Sequence, residues 1–336
     1  MILKVGSILI SEIDKKIERK LQELNLKPEI SPQKFLKIHN VKKHRYFSPC
    51  LTAEGGKVAF YGRLHNNLDA KGKFIREIIF LKKIKKANLK IKEIVPKIID
   101  YGIEKDFEWL EREYPKGPPL GHSRNLIQKP FPGMIKKIIK TLFEISKIPP
   151  KTFPNLKKFR CQNYLPPLYE EFANKCIIKS DLSKKILKLV KEDLPLIEKE
   201  NKYFCHGDLN LGNILSEGKD IWIIDWELIH FNNFAYDIGY LWTHLWEAKR
   251  SFRQKVLRSY INHLNFQDLL KFKKILPVVT SYFSLQSIKY KEEKEKAAIL
   301  RKRRRFYLSL LNNCLDFNKL IKKKIDLRYG DKVYYE

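Results

Sequence analysis

Two short runs in the first third of the chain have the composition of paired β-strands. They lie in "HRYFSPCLTAEGGKVAFYGRL", residues 44–64, on either side of a turn at Glu54-Gly55-Gly56-Lys57. Aromatic and β-branched residues flanking a glycine turn are typical of a β-hairpin. Two further strand-like runs, "PKIIDYGI" and "FEWLEREY", follow at residues 96–103 and 107–114. Together these runs predict a small antiparallel sheet.

Hydrophobic residues between these strands recur at helical spacing instead. In "GKFIREIIFLKKIKKAN", the apolar positions are Phe74, Ile75, Ile78, Ile79, Leu81 and Ile84. Intervals of three and four residues predict an amphipathic helix with one packed face. Residues 9–25 show a similar pattern and predict a second amphipathic helix. The pattern of the N-terminal part therefore predicts a sheet with one main helix between its strands.

A proline-rich segment, "PKGPPLG" at residues 115–121, breaks any regular element and marks the best boundary in the chain. Helical patterns dominate after it, except for a predicted hairpin within residues 203–228. The prediction is an α+β fold with a small antiparallel-sheet N-lobe and a larger, mostly helical C-lobe. The predicted domains are an N-lobe at 1–114, a linker at 115–121 and a C-lobe at 122–336.

The inserted hairpin brings polar residues together at its open end. In "HGDLNLGNILSEGKDIWIID", Asn213 comes just before the first strand and Asp225 just after the second. The two ends lie side by side in an antiparallel pair, and Asp208 on the preceding loop can reach the same place. All three side chains offer oxygen ligands, which suit Mg²⁺.

This spacing matches the requirements of phosphoryl transfer. One Asp accepts the proton of the attacking hydroxyl, while an Asn and a second Asp hold the metal that bridges the phosphates. The pattern H-x-D-x-x-x-x-N, followed by strand, turn, strand and I-I-D, is far more specific than a lone H-x-D. The competing interpretation is a loop of ordinary caps and turns.

The stretches "HGDLNLGNIL", "IIDWE" and "AYDIGYL" resemble motifs of the aminoglycoside phosphotransferase and choline kinase-like family, relatives of the protein kinases. The resemblance implies a protein kinase-like two-lobe fold that uses ATP and Mg²⁺. The N-lobe at 1–114 would then bind nucleotide, and the C-lobe at 122–336 would carry catalysis and acceptor binding. It also implies a role for each matching residue: Asp208 as catalytic base, His206 as a brace of the loop, Asn213 and Asp225 as Mg²⁺ ligands, and Asp237 as a support from the following helix.

The nucleotide end of such a site needs a strand cation paired with a helical glutamate. Glu77 lies in the first half of the predicted helix, and Arg63 stands where the family has a lysine. Arginine keeps the charge but is longer, planar and forked, so it can bind phosphates and meet Glu77 or misplace them. The segment "LEREY" would be the hinge, where backbone groups of Glu111 to Glu113 hold adenine.

The charge of the chain bears on its partners. Its 68 Lys and Arg against 38 Asp and Glu give a net charge of +30, which favours anionic partners and disfavours polycationic acceptors. A neutral or anionic sugar-like alcohol, an amino-alcohol or a related small molecule remains the predicted acceptor. A choline acceptor would need an aromatic cage, and core packing is the alternative role of the candidate aromatics Trp226, Tyr236, Tyr240, Trp242 and Trp246.

Two other functions stay open at this point. Arg63 admits a catalytically weak nucleotide-binding pseudokinase or regulatory module. The basic run "LRKRRR", residues 300–305, admits contact with nucleic acid or an anionic membrane, although the glutamates before it favour a solvated helix face. No obligate protein partner is inferred. Five scattered cysteines and a poor signal peptide predict a cytoplasmic protein.

Overall fold

The computed structural model describes residues 15–39, 45–64, 73–87, 89–104, 107–156, 165–174, 178, 180–289 and 297–321. The helices are α1 at 15–23, α2 Pro32–His39, α3 Lys73–Lys86, α4 Met134–Ser146, α5 Leu165–Asn174, α6 Ser180–Lys199, α7 Tyr236–His244, α8 Arg250–Ile261, α9 Phe266–Lys289, α10 Ala297–Asn313 and α11 Phe317–Ile321. The strands are β1 Lys27–Pro28, β2 Arg45–Leu51, β3 Lys57–Leu64, β4 Ile98–Ile103, β5 Phe107–Glu113, β6 Gly121–His122, β7 Asn125–Leu126, β8 Tyr203–Cys205, β9 Ile214–Glu217, β10 Asp220–Ile223 and β11 His230–Asn232.

The chain divides into two compact units. The first comprises Met1–Gly117 and Ile221–Leu228, and the second comprises Pro118–Asp220 and Ile229–Glu336. The predicted first amphipathic helix is seen as α1, and its residues 9–14 lie outside the described residues. Within the described residues, no helix combines the length and apolar composition needed to cross a membrane.

An antiparallel sheet of order β1-β2-β3-β5-β4 forms the centre of the first unit and confirms the predicted small sheet. The turn between β2 and β3 contains Gly55 at φ 79°, a conformation that glycine adopts without a steric penalty. One face of the sheet carries Phe60, Phe107 and Trp109, which are buried in a core with Ile17 and Leu21 of α1.

The other side of this unit holds the main helix, α3. Four of its predicted apolar residues, Phe74, Ile78, Leu81 and Ile84, are buried, whereas Ile79 is 43% exposed. The helix packs against residues 226–228, where the ring of Trp226 stacks on Phe80 with centroids 4.1 Å apart. The segment that follows β10 is therefore anchored on α3.

The second unit is mainly helical, as predicted. Its long helix α9 packs against α5, α6, α7 and α10. Strands β8 and β11 pair antiparallel, with Cys205 opposite His230. This short ladder fixes the point at which β8 ends, and the polar loop 206–213 begins directly after it.

Candidate active site

The loop after β8 is held by a carboxylate on α7. Asp237 Oδ2 accepts a hydrogen bond of 2.8 Å from the backbone N–H of His206, and Oδ1 accepts one of 3.0 Å from that of Gly207. Gly207 has φ 87°, a conformation that other residues rarely adopt. A single carboxylate thus fixes two successive peptide groups of the loop, which gives Asp237 a direct part in its geometry.

Burial raises the pKa of Asp237 to about 6, although the two backbone hydrogen bonds oppose the rise. The nearby charge of Asp208 contributes further in the upward direction. The carboxylate of Asp237 is therefore desolvated, and its two backbone donors take the place of water.

The side chain of Asp208 accepts three hydrogen bonds. Its Oδ1 accepts from Asn210 Nδ2 at 3.2 Å and from the hydroxyl of Tyr240, and its Oδ2 accepts from Asn213 Nδ2 at 3.2 Å. The backbone N–H of Asp208 donates to Nδ1 of the buried His206 at 3.3 Å. Three side-chain donors and a fixed backbone therefore hold the carboxylate in one orientation.

Sequence analysis assigned no catalytic role to Tyr240 or Asn210. The role of Tyr240 could have been inferred from its position three residues after Asp237, because this spacing places both side chains on the same face of α7. His244, one turn further, stacks on Tyr240 with ring centroids 4.0 Å apart. Burial lowers the pKa of His244, which favours its neutral form.

Asn213 presents its two amide atoms to different surroundings. Nδ2 donates to the carbonyl oxygen of Asp208 at 2.8 Å and to its carboxylate at 3.2 Å. Oδ1 accepts no hydrogen bond within the described part of the chain. An amide oxygen in this position suits a hard cation such as Mg²⁺.

Asp225, the third predicted oxygen donor, lies in the first unit. It is half-buried and has φ 66°, a left-handed conformation that is costly for a residue with a Cβ atom. The next two residues are fixed: Trp226 is fully buried, and Glu227 pairs with Arg63 at 3.5 Å. Because Asp208 and Asn213 belong to the second unit, the convergence of the three on one metal stays a prediction.

Glu77 forms a buried ion pair with a cation that sequence analysis did not identify. Arg112 Nη1 donates to Glu77 Oε1 at 3.2 Å, and Arg112 Nη2 donates to the hydroxyl of Tyr61. Arg112 is 1% exposed and Glu77 is 6% exposed. Burial disfavours the cation, but Tyr61, Glu77 and Asp225 hold the pKa of Arg112 above its ordinary value.

The strand register explains why Arg112 faces α3. Arg112 lies opposite Ala59, and Glu108 lies opposite Arg63, so these side chains share one face of the sheet. The structure thus gives Glu77 a partner from β5 and gives Arg63 a partner in Glu227. The expectation that Arg63 meets Glu77 stays a prediction.

The predicted hinge residues lie at the end of β5. Glu111 is paired with Phe60 on one side and Asp100 on the other, within the sheet. The backbone N–H of Glu113 donates to the carbonyl of Lys97 at 2.8 Å. That N–H is therefore engaged by Lys97, and adenine contact by backbone groups of Glu111 to Glu113 stays a prediction.

The donor set fits Mg²⁺ chemically, because all of its ligands are oxygens. Among the described residues, no group of three His, Cys, Asp or Glu side chains is placed to hold a metal. The Mg²⁺ ligands predicted from the sequence are instead the carboxamide oxygen of Asn213 and the carboxylate of Asp225, and this assignment stays a prediction.

Two of the aromatic residues considered for a choline cage, Trp226 and Tyr236, are buried against other rings. Trp226 packs on Phe80 in the first unit, and Tyr236 packs on Phe283 in the second, with centroids 5.1 Å apart.

In the basic run on α10, Arg303 is buried while Arg301, Arg304 and Arg305 are exposed.

Known structures share this fold. The chain is 14% identical to amicoumacin kinase hAmiN in complex with AMP-PNP, Ca²⁺ and Ami, with 90% of this chain and 96% of that chain covered at a TM-score of 0.55. A putative fructosamine-3-kinase from Thermobifida fusca YX-ER1 is 14% identical, with 86% and 97% covered at a TM-score of 0.53. The GDP and kanamycin complex of an APH(2") kinase is also 14% identical, with 85% and 97% covered at a TM-score of 0.52.

These likenesses establish a kinase-like fold. No match was found among curated protein sequences. The sequence model of the phosphotransferase enzyme family matches residues 51–270, which is well over half of the chain. The matched range includes the loop at Asp208, the segment at Asp225 and the supporting Asp237. The chain belongs to the phosphotransferase enzyme family.

Proposed function

We propose that the protein is an ATP-dependent, Mg²⁺-requiring phosphotransferase that moves the γ-phosphate to a hydroxyl of a small molecule. One observation carries the proposal: the carboxylate of Asp208 is oriented by Asn210, Asn213 and Tyr240 on a loop fixed by Asp237. Phosphoryl transfer needs chiefly positioning and charge neutralisation, and a rigidly held carboxylate supplies the first.

In this proposal Asp208 acts as general base. It accepts the proton of the acceptor hydroxyl as that oxygen bonds to the γ-phosphorus, and the bond from phosphorus to the β–γ bridging oxygen breaks. The donors from Asn210, Asn213 and Tyr240 fix which carboxylate oxygen faces the acceptor. Asn213 Oδ1 and Asp225 would hold Mg²⁺, which supplies charge neutralisation at the phosphates when bound.

At the nucleotide end, the proposal assigns phosphate contact to Arg63 and a positioning role to the buried Glu77–Arg112 pair. A forked guanidinium on β5 can hold the helix carboxylate and the hydroxyl of Tyr61 at once. The α3 helix is then fixed against the sheet by an arginine of β5. Backbone groups of Glu111 to Glu113 remain the candidates for adenine contact.

We infer the class of acceptor from the net charge of this chain and not from the acceptors of related proteins. The related kinases named above were solved with kanamycin or Ami, or are named for fructosamine. The net charge of +30 disfavours a polycationic acceptor such as an aminoglycoside. A neutral or anionic sugar-like or amino-alcohol hydroxyl is the acceptor we propose.

A screen of alcohol, amino-alcohol and sugar acceptors with ATP and Mg²⁺ tests the proposal by following phosphate transfer. Asp208→Asn is expected to abolish transfer while leaving nucleotide binding intact. Asp220→Asn is a matched control, because Asp220 is exposed and its carboxylate forms a surface ion pair with Lys137 at 3.1 Å. Retention of near-normal transfer by Asp208→Asn would remove the assigned role. Binding of ATP without transfer to any acceptor would instead support the pseudokinase alternative.

A further inference from the structure

A cavity of about 180 Å³ lies within the second unit, between α7, α8 and α10. Its apolar wall includes Trp242 and Phe306, and three arginines line it: Arg250, Arg253 and Arg258. None of its lining residues, all within the described part of the chain, is an aspartate or a glutamate. The cavity therefore combines aromatic walls with positive charge.

Arg253 is the central group of this cavity. Its guanidinium lies 4.3 Å from the ring centroid of Phe306 and 5.3 Å from that of Trp242. Its Nε is buried and makes no hydrogen bond to the described residues. Burial lowers the pKa of Arg253 to about 10, and the one opposing contribution comes from Tyr307.

A desolvated charge without a counter-ion is costly, and removal of the charge from such a position is often neutral or stabilising. Such a group is therefore better explained by a ligand than by the stability of the fold. Its remaining N–H groups need an acceptor, and the lining supplies no carboxylate. A bound anion would meet both needs.

The tryptophans of this region do not form a cage for a cation. Guanidinium groups of the protein already lie over their rings: Arg253 over Trp242, and Arg124 over Trp246 at 5.7 Å. A quaternary ammonium would be repelled by these arginines. The surroundings of Trp242 and Trp246 therefore suit an anion and not the cation that a choline cage would bind.

We propose that this cavity binds a small organic anion, with a carboxylate or phosphate group on Arg253 and an apolar body against Trp242 and Phe306. The size is suitable, since a cavity of about 150 Å³ accommodates benzene. A planar guanidinium suits both acidic groups, because it can donate two parallel hydrogen bonds.

The cavity lies on another face of α7 from the catalytic loop. Tyr240 donates to Asp208, and Trp242 is two residues further along the helix. Two residues turn an α-helix by about 200°, so these side chains point in nearly opposite directions. The proposed anion site thus lies away from the contact between Tyr240 and Asp208, and it does not depend on the proposed phosphotransfer.

Calorimetric titration of the full-length protein with benzoate and with phenyl phosphate tests the proposal. Benzamide serves as the neutral analogue and phenyltrimethylammonium as the cationic one. We expect both anions to bind and neither analogue to do so. Arg253→Met should weaken anion binding roughly tenfold or more, the effect of losing a charge-assisted hydrogen bond.

Arg305→Met is the matched control, because it removes an exposed arginine from α10 and changes the net charge equally. It should leave anion affinity within about twofold. Asn213→Ala should leave benzoate binding unchanged, which separates the cavity from a phosphate site at the catalytic loop. Arg253→Met should also keep or raise the thermal stability of the free protein, whereas a merely structural arginine would lower it.

Three results would overturn the proposal. They are failure of the wild-type protein to bind either anion at millimolar concentration, binding of phenyltrimethylammonium with equal affinity, and unchanged anion binding in Arg253→Met. The first two need no variant, so the test holds even if Arg253→Met does not fold.

Discussion

The carboxamide nitrogen of Asn213 lies 2.8 Å from the carbonyl oxygen of Asp208 and 3.2 Å from its carboxylate. One residue therefore holds the proposed base through nitrogen and leaves its oxygen for a cation. This arrangement couples the orientation of the base to metal binding, because both functions depend on the same amide plane.

Asn213→Ala is expected to remove both functions at once. The Mg²⁺ concentration for half-maximal phosphate transfer should rise roughly 10- to 100-fold, as expected on loss of a metal-site partner. Asn210→Ala is the control, because it removes a donor to Asp208 without removing the proposed ligand. It should lower the rate at an unchanged Mg²⁺ requirement. Equal metal requirements in the two variants would contradict the assigned role of Asn213.

Tyr240→Phe removes the hydroxyl that donates to Asp208. The carboxylate is then held by one donor fewer, so the rate of phosphate transfer from ATP should fall about tenfold, the effect of losing one hydrogen bond to a charged group. Tyr260→Phe is the control, because it loses a buried hydroxyl that donates to the Phe234 carbonyl instead, and it should leave the rate of transfer unchanged.

The buried pair of Arg112 and Glu77 should contribute measurably to the stability of the first unit. Arg112→Met removes a buried cationic partner of Glu77 and is expected to cost about 3–5 kcal/mol in the free energy of unfolding. The double variant Arg112→Met/Glu77→Gln should cost less than Arg112→Met alone, because both charges are gone. Chemical denaturation measures both effects.

An exposed pair provides the comparison. Lys147 lies 3.5 Å from Glu144, and its side chain is 68% exposed. Lys147→Met should change the free energy of unfolding by less than about 1 kcal/mol. A comparable cost for Lys147→Met and Arg112→Met would show that burial of the Arg112 pair has no energetic consequence.

Asp237 should give the protein a specific dependence on pH. Burial raises its pKa to about 6 from an ordinary value of 3.8, so the folded state binds a proton that the unfolded state has already released. Its contribution to the free energy of unfolding is therefore full below about pH 4, falls as the pH rises to about 6, and is constant above. The total loss is about 3 kcal/mol, at about 1.4 kcal/mol for each pH unit between the two pKa values.

Urea denaturation of the wild type and Asp237→Asn between pH 4 and 8 isolates this contribution, because asparagine does not titrate. The wild type should lose stability relative to the variant across the lower half of that range. A difference that stays constant with pH would show that Asp237 titrates normally.

Local patterns sufficed for much of the fold. Patterns among neighbouring residues predicted the helical spacing of apolar residues in α3 and the glycine turn between β2 and β3. They also predicted that Asn213 comes just before a strand, β9. The contact of Arg112 with Glu77 could not be predicted in this way, because it joins positions 35 residues apart and depends on the register of β5 against β3. The contact of Tyr240 with Asp208 could not be predicted from local patterns either, because the two residues lie 32 positions apart in the sequence.

Asp225 keeps a left-handed backbone although a glycine there would relax it. Selection of variants for heat resistance alone should therefore favour Asp225→Gly and produce a sturdier but inactive protein, if the carboxylate serves phosphate transfer as proposed. Engineering of this protein would need to measure turnover alongside thermal tolerance, because stability favours glycine at position 225 whereas phosphate transfer requires the carboxylate.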